Sequence, residues 1–396
     1  MKLKDKKGDN MRTLIRNINL INPYEIFFGY GVVVEQDKIV EINIEDNIKI
    51  ENIDLVIDGK GNFLAPGFVD IHNHGNMGFD IMDSTENAID NIGRFHLKNG
   101  VTSYLGTVIT SSYENMSNAI RNLANYKNKK ELSQLIGVHL EGPFFSLDKK
   151  GAQPGKYIKN PNKEEIREIF NISNGRLKMV SIAPETSGAL DIISYLKSKD
   201  IIVALAHSNA SFEETQIGIN YGATVATHLY NGMREFNHRE PGIIGAALLD
   251  ERVYCEIIYD RIHLHDAAVK IAVRMKGVDK IVLVSDSMMA AGLSDGDYEL
   301  GGQKVIVKNS TARLETGSLA GSTLNLRDAV YNMIYYLDIP INDAIRMASL
   351  SPAKAIGING HKGSIEIGKD ADMILIDKDI NVLGTMVMGE WKFCSN

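Results

Sequence analysis

The chain has 396 residues, 44% hydrophobic and 23% charged, with 35 glycines against 9 prolines. That composition is ordinary for a globular protein, and the length points to one large domain with a smaller companion. A net charge of -7 excludes the broad basic field that holds nucleic acid but leaves room for a pocket that takes one phosphate, and the two cysteines, Cys255 and Cys394, exclude a disulfide framework or a thiolate zinc site.

Residues 1–10 are lysine-rich with no apolar run behind them, and they are expected to form a disordered tail. No stretch approaches the roughly 18 apolar residues of a membrane span, so a cytoplasmic protein without a membrane partner is expected. Residues 11–65 carry short β-like runs at 18–21, 31–35 and 38–42 with no helical stripe, which predicts a small β unit.

After Ala65-Pro66-Gly67 the character changes, and Val- and Ile-rich runs alternate with longer amphipathic segments. Eight such runs lie at 68–71, 101–105, 135–140, 177–182, 201–206, 224–227, 253–258 and 281–284. Repeated βα units of this number predict an α/β fold, a closed (β/α)8 TIM barrel over residues 66–355. Ser211 with Glu214 reads as a capping box, and Ser351-Pro352 as a helix start with proline in the first position. A hairpin is expected over 298–314, helices over 322–337 and 342–347, and strand-like alternation over 363–377. Residues 356–396 are expected to complete a small β-sandwich with residues 11–65, built from both chain ends.

Polar residues able to hold a metal follow the runs directly: His72 and His74 after the first, Glu141 after the third, His207 after the fifth, His228 after the sixth and Asp286 after the eighth. In a barrel the C-terminal strand ends share one rim, so these residues would converge there. One histidine at a strand end is more often a hydrogen-bonded structural group, but several coincident placements favour a zinc-type site. His72-Asn73-His74 alone is a weak motif, because alternate strand residues bring both rings together only if the chain leaves the strand there. The glycine-rich segment 317–321 suits either a ligand contact or a plain turn.

The segments PGFVDIHNHG, GVHLEGPF, AHSNA, THLYNGM, HREPGIIGAAL, VSDSM, DYELGG and GSLAGSTL together resemble the N-acetylglucosamine-6-phosphate deacetylases of the amidohydrolase superfamily, from about residue 66 to 369. The resemblance implies a metal-dependent hydrolase acting on an amino-sugar phosphate. One divalent ion would be held by Glu141, His207 and His228, with His72 and His74 supporting a second in some members. Zinc stands first, and iron, cobalt or manganese are alternatives. By the same likeness Asp286 is the general base and acid, Gln153, Asn231, Gly232, Arg239, His263 and Leu319 meet the sugar phosphate, and Arg239 or His263 reaches across a homodimer interface.

Gln153 departs from the pattern, since the family carries histidine there to polarise the substrate carbonyl; a glutamine amide still donates a hydrogen bond but cannot become imidazolium. Gly232, Arg234, Ser287 and Arg261 depart from the family's usual residues as well. N-acetylgalactosamine 6-phosphate is an alternative substrate, and a catalytically silent sugar-phosphate binder is an alternative of another class. Ser181-Ile182-Ala183-Pro184-Glu185, after the fourth run, lacks the carboxylated lysine of dihydroorotase- and urease-type barrels.

Overall fold

The computed structural model describes residues 11–395; the tail expected at residues 1–10 lies outside them. Eight parallel strands form one sheet in chain order: Phe68–Asp70, Val101–Ile109, Gln134–Glu141, Leu177–Ile182, Ile202–Leu205, Ala223–Ala226, Tyr254–Ile257 and Ile281–Leu283. We refer to them as the first to eighth barrel strands. The seam between the first and eighth is joined just past the strand ends, where the Asp286 N–H donates to the His72 carbonyl at 2.9 Å and the His74 N–H to the Ser287 carbonyl at 2.8 Å. Deeper in the seam the Ser285 hydroxyl donates to Asp70 at 2.6 Å.

The strands read as near-continuous Val/Ile/Leu runs because both faces are covered, as parallel sheets require. Val101–Ile109 is buried at all nine positions. The helices between strands carry their own start signals: Thr85, Ser112, Asn162 and Ser211 each accept a hydrogen bond from a backbone N–H in the first helical turn. The Ser211 capping box is complete, with Glu214 Oε2 accepting from the Ser211 N–H at 2.8 Å.

The β unit of the chain ends is one seven-stranded sheet. It takes Arg12–Ile21, Ile26–Glu35, Lys38–Ile44 and Leu55–Pro66 from the N-terminal side and Met373–Ile376, Val382–Val387 and Glu390–Cys394 from the C-terminal side. The halves meet where Met373–Ile376 runs antiparallel to Phe63–Pro66. Period-two alternation sends Val32 and Val34 into one apolar cluster with Ile15, Leu20 and Met373, and Val33 into another with Leu14 and Ile48.

Three expectations need correction. Within 363–377 only Met373–Ile376 is a strand, because the residues before it form turns. Pro352 is the third residue of the helix Leu350–Ala355, not the first; the third N–H of a helix also lacks an intrahelical acceptor, so proline fits there. The expected 298–314 hairpin is a three-stranded sheet of Gly296–Leu300, Gln303–Lys308 and Thr311–Leu314. No helix among the described residues is long and apolar enough to cross a membrane.

Candidate active site

Each candidate ligand sits at or just past the C-terminal end of its strand, where the chain turns away from the sheet. His207, His228 and Asp286 all have left-handed backbone, with φ of 45°, 33° and 46°. Such conformations are costly outside glycine and persist where the surroundings over-determine them. The first strand ends at Asp70, so His72 and His74 lie beyond the pleat and their rings converge, with centroids 5.3 Å apart. Asn73, between them, faces away and anchors the turn by donating to the Leu105 carbonyl at 2.8 Å.

Glu141 is the hub. Its Oε1 lies 3.2 Å from both His207 Nε2 and His228 Nε2, and its Oε2 lies 3.2 Å from His74 Nε2. Asp286 Oδ1 is 3.2 Å from His74 Nε2 and 3.4 Å from His72 Nε2. Two triads able to hold an ion result, His72–His74–Glu141 and Glu141–His207–His228, sharing the carboxylate. All six residues are buried.

The donor set fits a divalent ion for a specific reason. His207 Nδ1 faces the Lys149 carbonyl at 2.9 Å and His228 Nδ1 the Asn231 carbonyl at 3.1 Å, and a carbonyl only accepts, so each Nδ1 carries the ring proton. Each Nε2 then turns a lone pair toward Glu141 Oε1. Lone pairs facing a carboxylate at 3.2 Å repel unless a cation or a proton lies among them. His72 repeats the pattern: its Nδ1 is 3.0 Å from Glu256 Oε2, while its Nε2 is buried without a hydrogen-bond partner. The carbonyl and carboxylate behind each ring are the partners that orient metal-binding imidazoles.

Electrostatics agree. Burial pulls the His74 imidazole down, but hydrogen bonds to Asp286 and Glu141 outweigh it and push the group up to about 9. Burial likewise opposes His72 and His228, and the nearby carboxylates raise both. Burial would raise Glu141 and Asp286, yet the imidazoles hold both below the usual carboxylate range. His72, His74 and His228 thus each sit in a field of nearby carboxylates that favours positive charge among them. Below them lies a polar layer: His139 Nε2 meets Ser181 Oγ at 2.8 Å and its Nδ1 meets Thr107 Oγ1 at 3.3 Å. Burial keeps His139 neutral.

A cavity of about 240 Å³ opens over this cluster, lined among others by His74, Gln153, Asn231, Gly232, His263, Asp286 and Leu319. The three-stranded sheet contributes Leu300 to its wall. A larger cavity of about 350 Å³, lined by Asp80, Asp83, Lys156 and Glu299 among others, contains none of the candidate residues. Gly232 has φ 62°, and a Cβ there would lie 2.7 Å from His207 Nδ1, so glycine is what lets the chain close on that ring. His263 Nδ1 is held by Asp260 Oδ2 at 2.7 Å.

Arg239 stands apart: it is exposed and does not line the cavity of its own chain. Neither added arginine enters it either. Arg261 pairs with Asp266 at 3.1 Å and covers the Tyr336 ring, and Arg234 donates to Asn209 at 3.2 Å. Gln153 is in the cavity wall, but its Nε2 donates to Glu141 Oε2 at 2.9 Å and its Oε1 accepts from the Thr110 N–H at 3.2 Å. Glu256, His139 and Asp70 were not picked out from the sequence. Their one signal was a charged or polar residue within or ending an apolar strand run.

The amidohydrolase family model matches residues 63–392. An N-acetylglucosamine-6-phosphate deacetylase of Lysinibacillus sphaericus is 36% identical, covering 97% of this chain and 98% of that protein. An N-acetylgalactosamine-6-phosphate deacetylase of Escherichia coli O157:H7 is 35% identical over 85% of this chain and 89% of its own length. The crystal structure of the N-acetylglucosamine-6-phosphate deacetylase from Pasteurella multocida superposes with a TM-score of 0.91 at 32% identity, covering 97% of this chain and all of that one.

Proposed function

Because the chain belongs to the amidohydrolase family, among its N-acetylglucosamine-6-phosphate deacetylases, we propose that it hydrolyses N-acetylglucosamine 6-phosphate to glucosamine 6-phosphate and acetate. The observation that carries the reading is the meeting of Asp286 with the Glu141-centred imidazole cluster at the floor of one cavity. An amide resists water because its carbonyl is a poor electrophile and its amine a poor leaving group. Glu141, His207 and His228 would hold a divalent ion, zinc first among candidates, which would supply Lewis acidity to activate water near neutral pH and positive charge for the oxyanion.

Asp286 does the proton work. Its carboxyl is held in the ionised form by His72 and His74 against the pull of burial, so it accepts a proton from the attacking water. It then returns that proton to the sugar nitrogen as the C–N bond breaks. Asn231, Gly232, His263 and Leu319 shape the sugar and phosphate end of the cavity. Arg239, exposed on the single chain, reaches the phosphate of a second copy in a homodimer, where its planar fork suits a phosphate.

The Escherichia coli relative supports a second substrate, the galactosamine epimer, with the same chemistry. The test is acetate release by ion-loaded protein from N-acetylglucosamine 6-phosphate, its galactosamine epimer and unphosphorylated N-acetylglucosamine. Faster release from the glucosamine phosphate is expected. Preference for the epimer selects the second reading, and no release from any of the three contradicts both.

A further inference from the structure

Glu256 lies in the seventh barrel strand, Tyr254–Ile257, inside an otherwise apolar run, with no exposure to solvent. A carboxylate is kept in such a place only where partners compensate its charge. Its Oε2 faces His72 Nδ1 at 3.0 Å and accepts the backbone N–H of His228 at 3.3 Å, while its main-chain carbonyl accepts the Leu229 N–H at 2.8 Å. Its Oε1 has no hydrogen-bond partner, so the polar contacts of the carboxylate gather on one oxygen. That oxygen touches one residue from each triad: His72 of the first and His228 of the second.

Each contact has a separate consequence. A carboxylate is an acceptor only, so it fixes the His72 proton on Nδ1 and turns the Nε2 lone pair toward Glu141 and Asp286; it also makes the imidazole a stronger donor to a metal. The second contact braces the left-handed turn at His228, φ 33°, which aims that ring at Glu141 Oε1. His72 follows the first strand and His228 the sixth, so Glu256 ties two parts of the site that no sequence neighbour connects.

We propose that Glu256 is the positioning residue shared by the two triads, setting the metal affinity of the cluster through His72 Nδ1 and the His228 backbone at once. This rests on the metal-dependent reading above. The test compares wild-type protein with Glu256→Ala and Glu256→Gln. Zinc affinity is measured by competition with a chromophoric chelator, the visible spectrum is recorded after loading with Co²⁺, and the ion-free forms are melted as a check on folding. Loss of such an orienting partner weakens metal binding about 10- to 100-fold. Glu256→Ala is expected to show that loss with a shifted Co²⁺ spectrum, and Glu256→Gln, which retains an acceptor for His72 Nδ1, to recover part of it. Wild-type affinity and spectrum in Glu256→Ala would overturn the proposal. So would equal weakening in both variants with an unchanged spectrum and a lower ion-free melting temperature, which marks a structural role alone. A wild-type protein that binds no ion would instead overturn the metal reading beneath it.

Discussion

Gln153 has both ends of its amide engaged, the nitrogen on Glu141 and the oxygen on the Thr110 N–H. The resemblance gave this position to a histidine that polarises the substrate carbonyl; here the side chain braces the carboxylate on which both triads depend. Gln153→Ala is therefore expected to weaken zinc binding by about 10- to 100-fold, read by chelator competition. Unchanged affinity would show that the bond to Glu141 holds nothing in place. At this scale the candidate ligands stood out because histidines and carboxylates recurred at strand ends, and the structure brings those side chains together. Glu256 was not, since a carboxylate between Cys255 and Ile257 acquires meaning only when the seventh strand is seen to pass His72. Arg239 was expected to meet the sugar phosphate or to reach across a dimer interface, and on the single chain it is exposed and outside the cavity.

All eight barrel strands were legible as apolar runs, with differences only at their ends. The second run was read as stopping at residue 105, before Gly106 and Thr107; the strand continues to Ile109 because the third barrel strand pairs with it as far as Glu141. The strands Val382–Val387 and Glu390–Cys394 had no clear pattern, since Gly384 and Thr385 interrupt the first and the second is only half-buried. Long-range pairing defines them. The two chain ends are also clamped by charge: buried Lys362 binds Asp370 at 3.1 Å and Asp372 more closely, and Lys38 reaches the same Asp370. Lys362→Met leaves two buried carboxylates short of a partner and is expected to destabilise the protein by about 3–5 kcal/mol in urea unfolding. A loss under about 1 kcal/mol would show that the clamp is inert. The pH sign follows from Asp370, which burial would raise but Lys38 and Lys362 hold below its ordinary value. Its contribution is present above the unfolded value near 3.9 and fades as the pH falls through the lower folded-state value.

Across the whole molecule, candidate ligands arrive from the ends of the first, third, fifth and sixth strands, with Asp286 from the eighth, so an ion held by Glu141, His207 and His228 would link segments 87 residues apart in the chain, from Glu141 to His228. A ligand that binds only the folded state stabilises it by about 4 kcal/mol at roughly 1,000 times its Kd. Dialysis against a chelator is expected to lower the melting temperature by several degrees, with zinc restoring it; equal melting temperatures would contradict an ion held by this cluster. The overall architecture was legible because eight repeats of one unit leave few ways to close. Oligomeric state is not written in such repeats, since a surface that meets a second copy need not differ in composition from any other surface. The most direct measurement of the central claim is Asp286→Asn, assayed for acetate release from N-acetylglucosamine 6-phosphate alongside its bound-metal content. The account expects metal bound as in the wild type and acetate release at least about 10²-fold slower. Release within a fewfold of the wild-type rate, with the metal in place, would contradict it.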